Sequence, residues 1–130
     1  QLEIGSTATE FEHKSFGEEL ALCQRYYQRI QGDTTAQRSV ANGVVGSTTA
    51  IFRALYPIKV QMRASPTCTS SGLTGYDGTS NPAVSLGTGY QTAEQISFDI
   101  SGGSGYTVGR IGIILTGGST SSYFDASAEL

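Results

Sequence analysis

The sequence predicts a mainly β protein: an N-terminal strand and linker, one α-helix, then an antiparallel β-sandwich of jelly-roll-like character. Three observations lead there. Charged residues make up only 15 % of the 130 residues, while Gly numbers 17 and Ser plus Thr 31. A soluble domain carries about 25 % charged residues, so turn formers and β-compatible Thr take the place of charge here. Short alternating or apolar runs recur between turn signals, and no helical pattern separates them, which argues against a parallel α/β sheet. Only one stretch, SFGEELALCQRYYQRI, has helical periodicity.

The elements follow in chain order. QLEIG, with Leu2 and Ile4 alternating, reads as a short strand, and the residues up to 14 read as the end of a preceding domain and a linker. The abrupt start on Gln fits the C-terminal piece of a longer chain. Ser15 and Glu18 have the spacing of a capping box, in which each satisfies the other's backbone amide. Glu18 and Glu19 sit where a helix dipole favours acids, and Arg25 and Arg29 where it favours bases. Gly32 is a suitable stop, so a helix is expected over 16–30. Phe16, Leu20, Cys23, Tyr27 and Ile30 are then spaced 4, 3, 4, 3, as an a/d seam is. A helix this short needs a partner, either its own domain or copies of itself, and these five residues are assigned to an oligomer interface.

Beyond Asp33, strands are expected at 37–45 and 48–56. KVQMRA between Pro57 and Pro66 reads as a further strand, with Val60, Met62 and Ala64 on one face. Residues 65–92 read as a long polar loop holding one short strand, AVSL, at 83–86. QISFDIS is a strand with Ile96, Phe98 and Ile100 inward, SGGSG a turn, and YTVGRIGIILTG a strand buried toward its C-terminal half. GGSTSS is a loop and YFDASAEL a last strand. The organisation expected is therefore 1–14, a helical element over 15–32, and a β-sandwich domain over 33–130.

Several function classes drop out. The net charge is −3 with no Lys/Arg run, which argues against nucleic acid. No apolar run approaches the roughly 18 residues of a spanning helix, so no membrane insertion is expected. Cys23 and Cys68 lack a CxxC spacing and give no metal signal. They either pair or remain thiols, and the second suits assembly in a reducing cytosol. His13 is the sole histidine and no GxSxG elbow accompanies it. No carboxylate pair stands out: Asp77 sits in a YDG turn and Asp99 points outward from a strand. SGGSG and LGTGYQ do not match a phosphate loop. No catalytic residue, metal or cofactor is expected. For binding, the region 65–92 offers Tyr76, Asp77, Asn81 and Tyr90, a mix of aromatic faces and polar groups suited to a sugar. A purely structural loop is the competing reading.

Five pieces also resemble a family. QLEIG, FEHK at 11–14, ELALCQRYY at 19–27, YPIKVQMRA at 56–64 and the final AEL are similar to a segment common in tail-fibre and other virion proteins of tailed bacteriophages. Lys14 and Phe16 stand where Arg and Tyr are expected in that segment. The resemblance implies a homotrimeric structural protein of the virion, assembled in the bacterial cytoplasm among other tail proteins. It implies attachment to a host-surface glycan or another receptor, and no catalytic residues. A purely structural trimerisation or capping domain, a capsid decoration protein, and an accessory domain of a tailspike depolymerase are the alternatives.

Overall fold

The computed structural model describes residues 13–129, so the expected strand at 1–5 and most of the linker lie outside the described residues. Helix α1 (Phe16–Gln24) begins as its capping box requires. Ser15 Oγ accepts from the Glu18 amide at 3.3 Å, and a Glu18 carboxylate oxygen accepts from the Ser15 amide at 2.8 Å. The helix ends earlier than its periodicity suggests, with Arg25 as C-cap. Tyr27 and Ile30 therefore leave the seam, and only Phe16, Leu20 and Cys23 of it remain helical.

The reason is a competing ladder. Tyr27 and Ile30 are spaced as on a helix, yet YQRIQ forms strand β1 (Tyr27–Gln31) against β9 (Tyr123–Ser127), from Tyr27 opposite Ser127 to Gln31 opposite Tyr123. The strand buries Gln28, whose amide donates to the Gln24 and Val60 carbonyls, while its side-chain oxygen accepts from Tyr56 and from the Lys59 amide. Continuing the helix would leave a solvent-exposed cylinder, since α1 has no buried residue.

The remaining strands are β2 (Ser39–Ser47), β3 (Ala50–Tyr56), β4 (Thr67–Ser71), β5 (Leu73–Tyr76), β6 (Ala83–Gln91), β7 (Ile96–Ser101) and β8 (Ile111–Thr116). Every pairing is antiparallel. The strands form two units: a three-stranded sheet in the order β1-β9-β4, and six strands in the order β2-β3-β7-β6-β5-β8 that close into a barrel-like ring. Ring closure leaves those six strands without a free edge. The core lies inside the ring and beneath the small sheet, with Val45, Ile51, Ile96, Ile100 and Ile114 buried. Phe124 of β9 joins the two units, its ring 4.8 Å from Tyr56 and 5.3 Å from Phe98.

Two expectations are corrected. Residues 65–92 are not mainly loop: they form β4, β5 and a nine-residue β6. β4 and β5 are one run of chain broken at Gly72, whose φ of 61° bends it from the small sheet into the ring. A side chain there would also meet Ser122, so only glycine fits on both counts. KVQMRA forms no strand. Met62 is buried as expected, but from a loop whose amides reach Ala93 (Met62 N to its carbonyl, 2.8 Å) and Arg25 (Arg63 N to its carbonyl, 2.7 Å). The Pro57 and Pro66 that bound it limit ladder pairing. Among the described residues no helix is long and apolar enough to cross a membrane.

Candidate functional site

The site forms on the outer wall of the ring, where β3, β7 and β6 run side by side. Asp99 occupies the centre of β7. On one side, Ile51 pairs with Ile100 and Ala54 with Phe98, so Phe52 and Arg53 together face the single residue Asp99. On the other side, Leu86 pairs with Ile100 and Gly89 with Phe98, so Gly87 and Thr88 do the same. Asp99 thus stands between two β-bulges at one level, a device that re-aims side chains. Ile51 and Ala54 both remain in the core, three residues apart, because the bulge absorbs the odd residue.

The bulge leaves the Arg53 amide outside the regular ladder. The Asp99 carboxylate accepts from it at 2.8 Å. Arg53 has a φ of 53°, and among the described residues no other non-glycine has a positive φ. Its guanidinium carbon lies 4.2 Å from the centroid of the Tyr90 ring, in cation–π contact. Tyr90 is 51 % exposed and Leu55 is 50 % exposed. Both are in register with Ser97, from opposite sides, so the aromatic and aliphatic groups flank one position of β7. The result is an exposed surface with a cation held on an aromatic ring, an apolar neighbour and a central carboxylate.

The four residues expected to bind do not gather. Tyr76 ends β5, and Asp77 and Asn81 lie in the turn that follows it. Tyr90 is on β6, seven positions beyond Ala83, which pairs with Thr74; the separation along the strand is about 20 Å. Asp77 is 5 % exposed and fully occupied. One carboxylate oxygen accepts from the Thr79 and Ser80 amides and the Thr79 hydroxyl, and the other from the Thr107 amide at 2.7 Å. The Ser80 and Thr107 amides above all hold its carboxyl well below the usual carboxylate range. It ties the 77–82 turn to the 106–110 turn. Asn81 is exposed and Tyr76 partly so.

Arg53 and Asp99 were not legible as site residues. Arg53 reads as the polar position of an ordinary strand, and nothing local announces a bulge, because the signal is a register mismatch between three strands distant in sequence. A concavity of about 450 Å³ lies elsewhere, between α1 and the segment after Pro57, lined among others by Lys14, Leu22, Arg25 and Val60. Cys23 is exposed and Cys68 half-buried, and both are free thiols. Among the described residues, no three His, Cys, Asp or Glu side chains converge as metal ligands would.

No protein-family model, no curated protein and no solved structure significantly matches the chain.

Proposed function

We propose that this chain is the C-terminal domain of a bacteriophage tail fibre and serves host attachment by binding surface glycans, as the resemblance of QLEIG, ELALCQRYY and YPIKVQMRA implies. The observation that carries a binding role is the Tyr90 wall: an exposed ring, held by a strained arginine, on a rigid closed barrel. Aromatic faces meet sugar C–H surfaces while Asp99 and Arg53 offer an acceptor and donors to hydroxyls. A trimer would present three such walls, and modest affinity at each would add up through avidity.

The reading is tested by adsorption of the protein to host cells and by a glycan array, with Tyr90→Ala against Tyr76→Ala. Tyr90→Ala is expected to lose binding by at least tenfold and Tyr76→Ala to change it little. Wild-type binding by both variants defeats the Tyr90 assignment.

A second reading, that the domain serves to trimerise the fibre, draws on α1. Phe16 is 80 % exposed and Leu20 one turn on is also uncovered, leaving a short apolar stripe that a second and third copy of the helix suit. Light scattering is expected to give a trimer that Leu20→Asp reduces to a monomer. A monomeric wild-type protein at micromolar concentration counts against this reading and against the avidity mechanism together.

A further inference from the structure

We infer that Arg53 reads a carboxylate, so that the ligand of the Tyr90 wall is an acidic saccharide; this rests on the glycan-binding reading above. Four observations point the same way. The first is the backbone: at a φ of 53° a residue with a Cβ is strained, and glycine, which the chain uses at its other left-handed positions, would relieve it. An arginine at such a position fits a side-chain requirement rather than a backbone one, and residues held in sparsely populated conformations cluster at ligand sites.

The second is the company the guanidinium keeps. The ion pairs among the described residues are Arg29 with Asp125 and Arg38 with Asp33. Arg53 holds its guanidinium carbon 4.2 Å from the Tyr90 ring centroid, and the neighbouring Asp99 carboxylate is engaged by the Arg53 amide rather than by the guanidinium. The cation–π contact uses none of the guanidinium N–H groups, which keeps their planar fork for a carboxylate, gripped by two parallel hydrogen bonds.

The third is the floor. Leu55 and Tyr90, both exposed and both flanking Ser97, supply an apolar patch beside the fork, of the kind that receives the C–H face of a pyranose. The fourth is the acceptor: the Asp99 oxygen not engaged by the Arg53 amide is available to a sugar hydroxyl. Cation, apolar floor and acceptor together match a uronate-type ring, whose carboxylate, C–H face and hydroxyls lie within one residue of polymer.

The experiment uses the full chain on an array in which oligosaccharides bearing uronate or nonulosonate groups each stand beside their carboxyl-reduced counterparts, with polyglutamate as an acidic peptide control. Wild type is expected to bind one or more acidic glycans at least tenfold more strongly than the reduced partner. Arg53→Gly is expected to lose that preference while its melting temperature rises, and Arg53→Lys to lose most of it, because an ammonium cannot form the fork. Equal binding of acidic and reduced partners overturns the carboxylate assignment and leaves glycan binding standing. Silence across all saccharides, with or without binding to polyglutamate, overturns both. A melting temperature lowered by Arg53→Gly removes the argument from strain and overturns the inference.

Discussion

The backbone amide of Arg53 donates to Asp99 at 2.8 Å, across a point where β7 is flanked by a bulge on each side. The bond gives a partner to an amide displaced from the ladder and holds the guanidinium above Tyr90. Asp99→Ala is expected to destabilise the domain by about 1 kcal/mol, the worth of an exposed hydrogen bond to a charged acceptor. Asp99→Asn, which keeps an acceptor, is expected to lose less. Urea denaturation midpoints check both, and an unchanged midpoint for Asp99→Ala rules out the lock.

Tyr106 and Gly75 form a second coupled pair. The Tyr106 hydroxyl is buried without a hydrogen-bond partner, and a Cβ at Gly75 would run into it. Tyr106→Phe is therefore expected to leave the melting temperature unchanged or raise it, since an unpartnered buried hydroxyl contributes only a desolvation cost. Gly75→Ala is expected to cost about 1–3 kcal/mol through overpacking. Adding Tyr106→Phe to Gly75→Ala should recover part of that loss, because the clashing oxygen is gone. Strictly additive effects in this double-mutant cycle would contradict the contact.

Acid sensitivity should trace to two turn carboxylates. The Ser80 and Thr107 amides foremost, and the Thr79 groups after them, hold Asp77 well below the ordinary range; the Thr35 hydroxyl and amide, with Arg38, do the same for Asp33. A depressed folded pKa stabilises the fold above the unfolded value of about 3.9, and that contribution disappears as pH falls below it. The melting temperature is expected to drop between about pH 4 and pH 2. Asp77→Asn should start lower at neutral pH and fall less across that window. A parallel descent of variant and wild type would place the acid sensitivity elsewhere.

The two thiols should be kinetically distinct. Cys23 is exposed on α1, whereas Cys68 is half-buried and its thiol is pushed up to about 11 by burial. Because the thiolate is the nucleophile, an aromatic disulfide reagent at pH 8 is expected to titrate one cysteine quickly and the second only slowly or on unfolding. Added reductant should leave the melting temperature unchanged. Two equally fast thiols would show that Cys68 is not shielded.

The sequence by itself determined the local and the periodic. The capping box at Ser15 and Glu18, the inward Ile96, Phe98 and Ile100, the turn at SGGSG and the mainly antiparallel β character all follow from neighbours a few residues apart. Tertiary structure decided where the cause lay far along the chain. Tyr27 and Ile30 carry a helical spacing, and the ladder with β9 overrode it. The Gly/Ser/Thr-rich 65–92 stretch looks like loop because its composition carries little apolar alternation, and its strand character comes from ladder pairing with distant strands. β4, β5 and β6 are defined by β9, β8 and β7. Tyr90 was visible as an aromatic in a polar region, but its companions were not. A bulge is a mismatch of register between strands, and no single strand carries it, so Arg53 and Asp99 became a site only when β3, β7 and β6 were laid side by side.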